Sequence, residues 1–290
     1  LAIPLFIFAG DLLLHGGAAQ RLIDVMDAFF CHLPGGMGIA TILACAFFAA
    51  LSGSAGATVS AIGTIMIPAM IASGYRRGTA AGLVGSVGSI GNLIPPSIFF
   101  ILYGTLVEVS ISELFAAGIL PGVILSAMLC ATMVIAARRE HYKLKIAATW
   151  QVRKDALIKS IPALVMPIIV LGGIYGGVFT PTEAAAVACV YGLVIGAFVY
   201  RKLNFKVLWS TTTHAARTTA LIMLLVSMAV VLGKMFSFAG FPQAFAALVM
   251  EAKIGPQSFM MLATLVIIAL GTILEALPLM YVTVPILLPA

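Results

Sequence analysis

A pair of prolines interrupts one of the apolar stretches of this chain. Pro95 and Pro96 stand side by side shortly after Asn92, and the flanking segments 79–87 and 98–106 are apolar enough to lie in lipid. Proline removes a backbone donor and clashes with the preceding helical turn. In hydrocarbon such a break persists only inside protein or beside a polar cavity, because unsatisfied backbone groups there are costly. We therefore expect the break to line a site.

The composition indicates that the chain lies in a lipid bilayer. Hydrophobic residues make up 62% of the sequence and charged residues 9%, whereas soluble domains carry about 25% charged residues. We therefore predict an all-α polytopic membrane protein. The net charge of +6 could indicate a nucleic-acid partner. The basic residues lie in loops between apolar runs, however, so we expect no nucleic acid.

The cysteines and the chain ends suggest no additional site. Cys31, Cys45, Cys130 and Cys189 form no Cys-x-x-Cys pair, and we expect small buried side chains rather than metal ligands. The chain starts at Leu1 in an apolar run and stops inside another. We interpret it as a fragment of a longer protein that lacks both ends.

The first half, residues 1–137, contains two interrupted apolar elements. Residues 36–72 hold two apolar runs that are each short for a full span and are joined only by Ser-Gly-Ser, so we predict a re-entrant helical hairpin. Residues 79–108 hold the proline break, so we predict a broken helix. The other elements are a span ending near residue 14, an amphipathic surface arm at 16–34 and a span at 113–137.

The second half, residues 160–290, repeats this order of parts. Its apolar spans are followed by an amphipathic arm at 241–253 and a second hairpin with its tip at 271–278. The segment 138–159 between the halves is rich in Lys and Arg, which predicts a cytoplasmic loop. If successive loops alternate between the two sides of the membrane, starting from this cytoplasmic loop, 14 of the 16 Lys and Arg residues lie on the cytoplasmic side. Lys234 and Lys253 are the exceptions.

The two halves then have opposite orientations in the membrane. Weakly similar strings recur at offsets of 221 to 223 residues, such as the one at 64–70 against 285–290. Inverted repeats with broken helices near the midplane are typical of secondary transporters. We predict an inverted-repeat ion-transporter fold with re-entrant hairpins and broken helices. By analogy, the broken helix of the second half would lie about 25 residues beyond Ala290.

Five strings resemble a known family along nearly the whole chain: IPLFIFAGDLL (3–13), SGSAGATVSAIGTIMIPAM (52–70), GNLIPPSI (91–98), LFAAGILPG (114–122) and GVFTPTEAAAVA (177–188). They resemble the large membrane subunit of tripartite ATP-independent periplasmic (TRAP) transporters, within the ion transporter superfamily. The resemblance implies a sodium-coupled elevator transporter in the bacterial inner membrane. It also implies a periplasmic solute-binding protein and a small membrane subunit as partners. The implied cargo is a carboxylate such as a C4-dicarboxylate, a sialic acid or a 2-oxo acid.

The resemblance also implies where the ions bind, with sodium as the coupling ion and no other cofactor. Each sodium would lie between a hairpin tip and the facing broken helix. The first site would use Ser52, Ser54, Ala55, Gly91, Ile94 and Pro96. The second, partial site would use Gly271, Thr272, Glu275 and Pro278. Helix ends suit an anion, and the expected substrate contacts are Ser54, Thr58, Asn92, Ser97 and Glu275.

Several of these residues have simpler interpretations that the sequence leaves open. The residues 52–54 could form only a tight turn, and Glu275 could pair with Thr272 instead of binding an ion. Asp11 and His15 are expected to be solvated at the cytoplasmic end of the first span. Thr180 or Thr182 followed by Glu183 predicts a helix cap.

Other classes of function fit the sequence less well. We expect no enzyme, because there is no HExxH or GxSxG motif and the four histidines, at 15, 32, 141 and 214, lie far apart. A proton-coupled carrier or an antiporter on the same scaffold remains an alternative, and a passive channel is a weaker one.

Overall fold

The computed structural model describes residues 2–140, 142, 146–251 and 255–287. Every regular element in these residues is helical, which confirms the all-α class. Parts of the predicted basic loop (141 and 143–145) and of the second arm (252 and 253), and the chain ends, lie outside the described residues. The chain divides into two compact units, Leu1–Ala216 and Arg217–Ala290, which are described separately.

The first unit is a bundle of helices that ends within a long eleventh helix. Their bounds are α1 Ala2–His15, α2 Ala18–Phe30, α3 Gly36–Ser52, α4 Ala55–Ala72, α5 Arg77–Gly88, α6 Ile90–Leu93, α7 Ile98–Val107, α8 Ile111–Glu140, α9 Trp150–Tyr175, α10 Pro181–Val194 with a π-helical continuation at Ile195–Val199, and α11 Phe205–Phe238. The predicted hairpin corresponds to α3 and α4, and the predicted broken helix to α5, α6 and α7.

Helix α3 is the buried centre of the first unit. Its sequence, GMGIATILACAFFAALS, is apolar on every face, and nearly all of its residues are buried. A helix that is hydrophobic all round is stable only when other helices surround it. Helices α1, α2, α4, α5, α6 and α8 pack against α3. The tip at the end of α3 is therefore fixed in the middle of the unit.

The predicted arm and the predicted basic loop differ in part from the structure. The arm is the amphipathic helix α2, which follows α1 after a bend of 62° at Gly16 and Gly17. The segment 138–159 was predicted as a loop, but α8 continues to Glu140 and α9 already begins at Trp150. Arg138 and Arg139 lie in the last turn of α8. Positive side chains stabilise a helix there, because its C-terminal end carries a partial negative charge. Residue 160, the predicted start of the second half, lies inside α9.

The second unit contains the remainder of α11 and three further helices, α12 Phe241–Glu251, α13 Pro256–Gly271 and α14 Ala276–Leu287. Helix α14 packs against α12 and α13. Helices α13 and α14 are the two limbs of the predicted second hairpin, and residues 272–275 form its tip. Leu279, Met280, Tyr281 and Thr283 are the buried residues of α14.

The membrane prediction is supported by the lengths of the helices. Within the described residues, five helices are long and apolar enough to cross a bilayer, or up to seven if each of two bent pairs forms one span. One bent pair is α1 with α2, and the other is Arg77–Leu93 with Ile98–Val107, bent by 44°. Helices α3, α13 and α14 are apolar but shorter, as expected for hairpin limbs that enter the membrane partway. Helix α4, the other limb of the first hairpin, differs from this prediction, because its 18 residues place it among the five helices that are long enough to span.

Candidate functional site

The tip of the first hairpin is built from one glycine and two serines. Helix α3 ends at Ser52, and Gly53 has φ 61° and ψ 14° in the left-handed region, which residues with a Cβ rarely adopt. Ser54 then caps α4, because its hydroxyl accepts the N–H of Ala57 at 3.4 Å. The sequence Ser-Gly-Ser therefore reverses the chain in three residues.

Two buried hydroxyl groups lie inside this turn. The Ser52 side chain lies 3.2 Å from the Thr58 hydroxyl, and the two residues are 1% and 0% exposed. The Thr58 hydroxyl donates to the Ser54 carbonyl at 2.8 Å. The Ser52 hydroxyl also lies 3.5 Å from the Ser54 carbonyl oxygen. Since Thr58 has only one hydroxyl proton, Ser52 directs its own proton toward the Thr58 oxygen or the Ser54 carbonyl and accepts from neither. The lone pairs of the Ser52 oxygen thus remain available to a cation.

The proline break leaves backbone carbonyls without their helical donors. Pro95 has no N–H to donate to the Gly91 carbonyl, four residues earlier. The N–H of Ile98 donates to the Gly53 carbonyl at 3.0 Å. The Ile94 carbonyl, four residues before Ile98, therefore also lacks its helical donor. Pro96 likewise has no N–H to donate to the Asn92 carbonyl. That carbonyl accepts a hydrogen bond from the Ser97 hydroxyl instead, at 2.8 Å. The peptide bond between the two prolines is cis.

The tip and the break are in direct contact. The bond from the Ile98 N–H to the Gly53 carbonyl joins them. A Cβ added to Gly53 would lie 2.6 Å from the Pro96 carbonyl oxygen, and one added to Gly91 would lie 3.0 Å from Ala55 Cα. Glycine at both positions therefore allows the two backbones to approach each other.

The structure thus brings together most of the residues predicted for the first sodium site. Ser52, Ser54, Ala55, Gly91 and Pro96 lie at this junction. Ile94 lies in the break, but its side chain points toward α8, because a Cβ on Gly122 would meet Ile94 Cγ1 at 2.7 Å. Only its carbonyl can belong to the junction.

Four helix ends meet around the junction and give it a polar character without charged side chains. Helices α3 and α6 end there, and α4 and α7 begin there. Carbonyl ends carry a partial negative charge and N–H ends a partial positive charge. The residues predicted as substrate contacts in this unit, Ser54, Thr58, Asn92 and Ser97, occupy the same turn and break. Ser97 and Thr58 are fully buried, with hydroxyls bonded to backbone carbonyls, whereas Asn92 is half-buried.

Two contacts at this junction were missed by the sequence analysis. Helix α8 passes close behind the break, since a Cβ on Gly118 would lie 2.4 Å from the Leu93 carbonyl oxygen. Helix α1 touches the tip, since a Cβ on Gly10 would lie 2.9 Å from Ser52 Cα. Small residues spaced by four are a signal of close helix packing in membranes. Gly118 and Gly122 show this signal, whereas Gly10 has no such partner.

The expectation that Asp11 is solvated was wrong. Asp11 is 4% exposed, and its carboxylate lies 2.8 Å from His214 Nδ1. His15 is exposed, and its Nδ1 lies 2.9 Å from the Asp11 backbone carbonyl. Periodicity could not find the pair, because its members are 203 residues apart in the sequence and meet only through helix packing.

The predicted second site occupies the tip of the hairpin in the second unit. Thr272 follows the end of α13, and its hydroxyl donates to the Ala269 carbonyl at 2.7 Å. The Thr272 hydroxyl therefore does not donate to Glu275, which was the simpler interpretation of that carboxylate. Gly271, Thr272 and Glu275 are exposed within this unit, and Pro278 is half-buried. The Glu275 carbonyl accepts the N–H of Leu279 at 3.1 Å, which begins α14.

The predicted cap at residues 180–183 is confirmed. Thr180 accepts the N–H of Glu183 at 3.3 Å, and the Glu183 carboxylate accepts the N–H of Thr180 at 2.8 Å. This is a complete capping box at the start of α10. Among the described residues, no group of three or more His, Cys, Asp or Glu side chains could hold a metal ion.

Comparisons with known proteins agree with the resemblance. Residues 1–290 match the family model described as the tripartite ATP-independent periplasmic transporter, DctM component. The chain is 39% identical over 290 residues to the isethionate TRAP transporter permease protein DctMQ of Oleidesulfovibrio alaskensis, covering 100% of this chain and 46% of that protein. It is 37% identical over 289 residues to the C4-dicarboxylate TRAP transporter large permease protein DctM of Pseudomonas aeruginosa, covering 100% of this chain and 68% of that protein.

A third relative extends the range of named substrates. The 2,3-diketo-L-gulonate TRAP transporter large permease protein YiaN of Escherichia coli is 36% identical over 289 residues, covering 100% of this chain and 68% of that protein. The chain therefore spans between about half and two thirds of the length of these relatives. The family consists of transporter permeases of the bacterial inner membrane and not of enzymes. The chain belongs to the DctM family, the large permease subunits of TRAP transporters.

Proposed function

We propose that this chain is the ion-binding part of a sodium-coupled secondary transporter that imports a small carboxylate. The observation that carries the proposal is the junction of the hairpin tip with the proline break. There the Ile98 N–H donates to the Gly53 carbonyl at 3.0 Å, and no charged side chain is among the residues that form the contact. Neutral carbonyl and hydroxyl oxygens suit a hard cation of low charge.

Sodium would bind to oxygens that the local hydrogen bonds leave available. These are the Gly91 and Ile94 carbonyls, which lack their helical donors, and the Ser52 hydroxyl, whose proton is directed toward the Thr58 hydroxyl or the Ser54 carbonyl. The Ser54 carbonyl already accepts the Thr58 N–H at 3.1 Å and the Thr58 hydroxyl at 2.8 Å, so it is a weaker candidate. The second tip, with Gly271, Thr272, Glu275 and Pro278, would form half of an equivalent site.

The substrate would bind where helices begin. Helices α4 and α7 both start at the junction, and helix N-termini attract anions. Ser54, Thr58, Asn92 and Ser97 would supply polar contacts at this junction. Glu275, at the tip of the second hairpin, is the substrate contact that we propose for the second unit. The relatives are named for C4-dicarboxylate, 2,3-diketo-L-gulonate and isethionate, which are small organic anions. This supports an anionic substrate for this chain, with a carboxylate as the first choice.

The remaining parts of the transporter follow from the family. A periplasmic solute-binding protein would deliver the substrate, and a small membrane subunit would assemble with this one. One relative has the name DctMQ, which adds a letter to DctM, and this supports a second membrane component beside the large subunit. The hairpins would carry the substrate across the bilayer by an elevator movement against the amphipathic arms.

Uptake into proteoliposomes tests the proposal. The full-length subunit would be reconstituted with its small subunit and binding protein, using as substrate the carboxylate that raises the melting temperature of the binding protein most. We expect saturable uptake that requires an inward sodium gradient. Uptake driven by a proton gradient alone would indicate the proton-coupled alternative. Flux that ignores both gradients and never saturates would indicate a channel.

A proline substitution tests the site itself. The double variant Pro95→Ala/Pro96→Ala restores N–H donors to the Gly91 and Asn92 carbonyls, so sodium should bind more weakly. Pro121→Ala is the control, because Pro121 lies inside α8 on an exposed face. The site assignment fails if the double variant and the control have the same sodium dependence.

A further inference from the structure

Asp11 and His214 form a hydrogen-bonded pair inside the first unit that neither the sodium site nor the substrate site uses. The carboxylate Oδ2 of Asp11 lies 2.8 Å from Nδ1 of His214. The side chain of Asp11 is 6% exposed and that of His214 is 62% exposed. The carboxylate is therefore the inner partner, and the imidazole reaches it from the outer side.

A carboxylate buried in a membrane helix needs a partner. A charge in this position is costly unless it is paired, and ionisable residues within spans commonly belong to ion or proton pathways. Imidazole differs from the other cationic partners because it gains and loses a proton between about pH 5 and 8. With neutral His214 the pair carries one negative charge, and with a protonated imidazole it carries none.

The other titratable groups near α1 have different surroundings. Helix α1 packs against α2, α3, α4, α7, α10 and the π-helical segment. On these elements Arg21 pairs with Asp24 at 3.6 Å, and Cys189 donates to the Leu5 carbonyl at 3.1 Å. The remaining groups on the elements around α1 and on α11 within this unit are Asp27, Cys45, Tyr103, Glu183, Tyr191 and Lys206. On α1 itself, His15 Nδ1 lies 2.9 Å from the backbone carbonyl of Asp11 and not from its carboxylate. Within the part of the chain that the structure describes, His214 is the cationic group in hydrogen-bond contact with the Asp11 carboxylate.

A second polar group lies on the same face of α11. Thr211 stands three residues before His214, a spacing that places both side chains on one side of a helix. It is 1% exposed, and its hydroxyl has no hydrogen-bond partner among the described residues. Its hydroxyl can both donate and accept a hydrogen bond.

Helix α1 links the pair to the hairpin tip. Gly10, the residue before Asp11, packs so closely against Ser52 that a Cβ there would lie 2.9 Å from Ser52 Cα. A change in the attraction between α1 and α11 therefore acts on the helix that supports the tip.

We propose that the Asp11–His214 pair is a proton-binding site of the transporter, separate from the sodium site. Neutral His214 donates its Nδ1–H to Asp11, and Nε2 accepts a proton from water. The imidazolium then has an N–H on both nitrogens and forms a charge-assisted bond with the carboxylate. Proton binding thus tightens α1 against α11. The effect on transport depends on the proposed function, whereas the proton site does not.

Magic-angle-spinning NMR of the full-length subunit in proteoliposomes tests proton binding directly. With ¹⁵N-labelled imidazole rings, neutral and protonated histidines have distinct signals, and His214→Gln identifies the signal of His214. We expect this signal to convert between the two forms when the pH is changed. We also expect Asp11→Asn to shift the Nδ1 signal of His214, because the variant replaces the carboxylate that lies 2.8 Å from this nitrogen. Asp24→Asn, which alters a half-buried carboxylate on α2 that pairs with Arg21, is the matched control.

Uptake by the assembled transporter tests the consequence. We expect the initial rate of the wild type to change at least about threefold between pH 6 and pH 8, and His214→Gln to abolish this change while keeping sodium dependence. A His214 signal that stays in one form across this range overturns the proton site, and so does an Asp11→Asn spectrum identical to that of Asp24→Asn. A His214→Gln profile that matches the wild type overturns the link to transport. Sodium-independent uptake, in contrast, overturns only the proposed function.

Discussion

Replacing Gly53 with alanine tests whether the hairpin tip and the proline break must touch. At Gly53 the backbone has φ 61°, and a Cβ would lie 2.6 Å from the Pro96 carbonyl oxygen. Gly177 has φ 69°, but a Cβ there would meet nothing within 4 Å. Gly177→Ala therefore introduces the same backbone strain without the collision, and it is the matched control.

The expected magnitudes follow from these two terms. The left-handed conformation costs about 1–2 kcal/mol for a residue with a Cβ, and this term applies to both variants. Overpacking costs about 1–3 kcal/mol, and this term applies only at Gly53, where the obstacle is backbone. The collision is relieved only if the tip moves away from Pro96. Since the proposed sodium ligands come from both segments, this movement should weaken sodium binding about 5- to 150-fold.

The assay is the sodium concentration for half-maximal uptake in proteoliposomes, together with thermal unfolding of each variant in detergent. We expect both variants to unfold at lower temperature than the wild type, and only Gly53→Ala to need much more sodium. Equal sodium requirements for Gly53→Ala and Gly177→Ala would refute the idea that this contact builds the ion site.

Three further predictions follow from local contacts. Gly91→Ala should weaken sodium binding, because its Cβ would lie 3.0 Å from Ala55 Cα, whereas Gly85→Ala, with nothing within 4 Å of a Cβ, should not; sodium-dependent uptake compares the two. Thr180→Ala removes the capping bond to Glu183 and should lower the free energy of unfolding by about 1 kcal/mol, measured by chemical denaturation in detergent. Burial raises the pKa of the Tyr75 hydroxyl. The stability that its neutral form contributes is therefore fully present below about pH 10 and is lost at higher pH. When melting temperatures are measured over a series of pH values, Tyr75→Phe should show a smaller loss of stability at alkaline pH.

The membrane class and the positions of the breaks were set by the sequence itself. Apolar runs separated by Ser-Gly-Ser at 52–54 and by the two prolines at 95–96 define short helices. The effects of proline and of turn residues on the backbone act on neighbouring residues, so they can be predicted from a short stretch of sequence. The capping box at Thr180 is local for the same reason. The family could likewise be recognised from strings of consecutive residues.

The loop at 138–159 marks the limit of this kind of local reasoning. Its many Lys and Arg residues predicted a connection between two spans, but α8 and α9 extend into the segment from both sides. A run of Lys and Arg is compatible with a helix that projects beyond the apolar region, so composition alone could not locate the helix ends.

The partners of each segment were decided only by the tertiary structure. The contact of Gly53 with Pro96 and the pair of Asp11 with His214 join residues that are far apart in the sequence. Such contacts depend on which faces of helices pack together, and an apolar helix such as α3, with no polar face, carries no signal for its orientation. The sequence thus determined where the helices break, and the packing around α3 determined which broken ends meet.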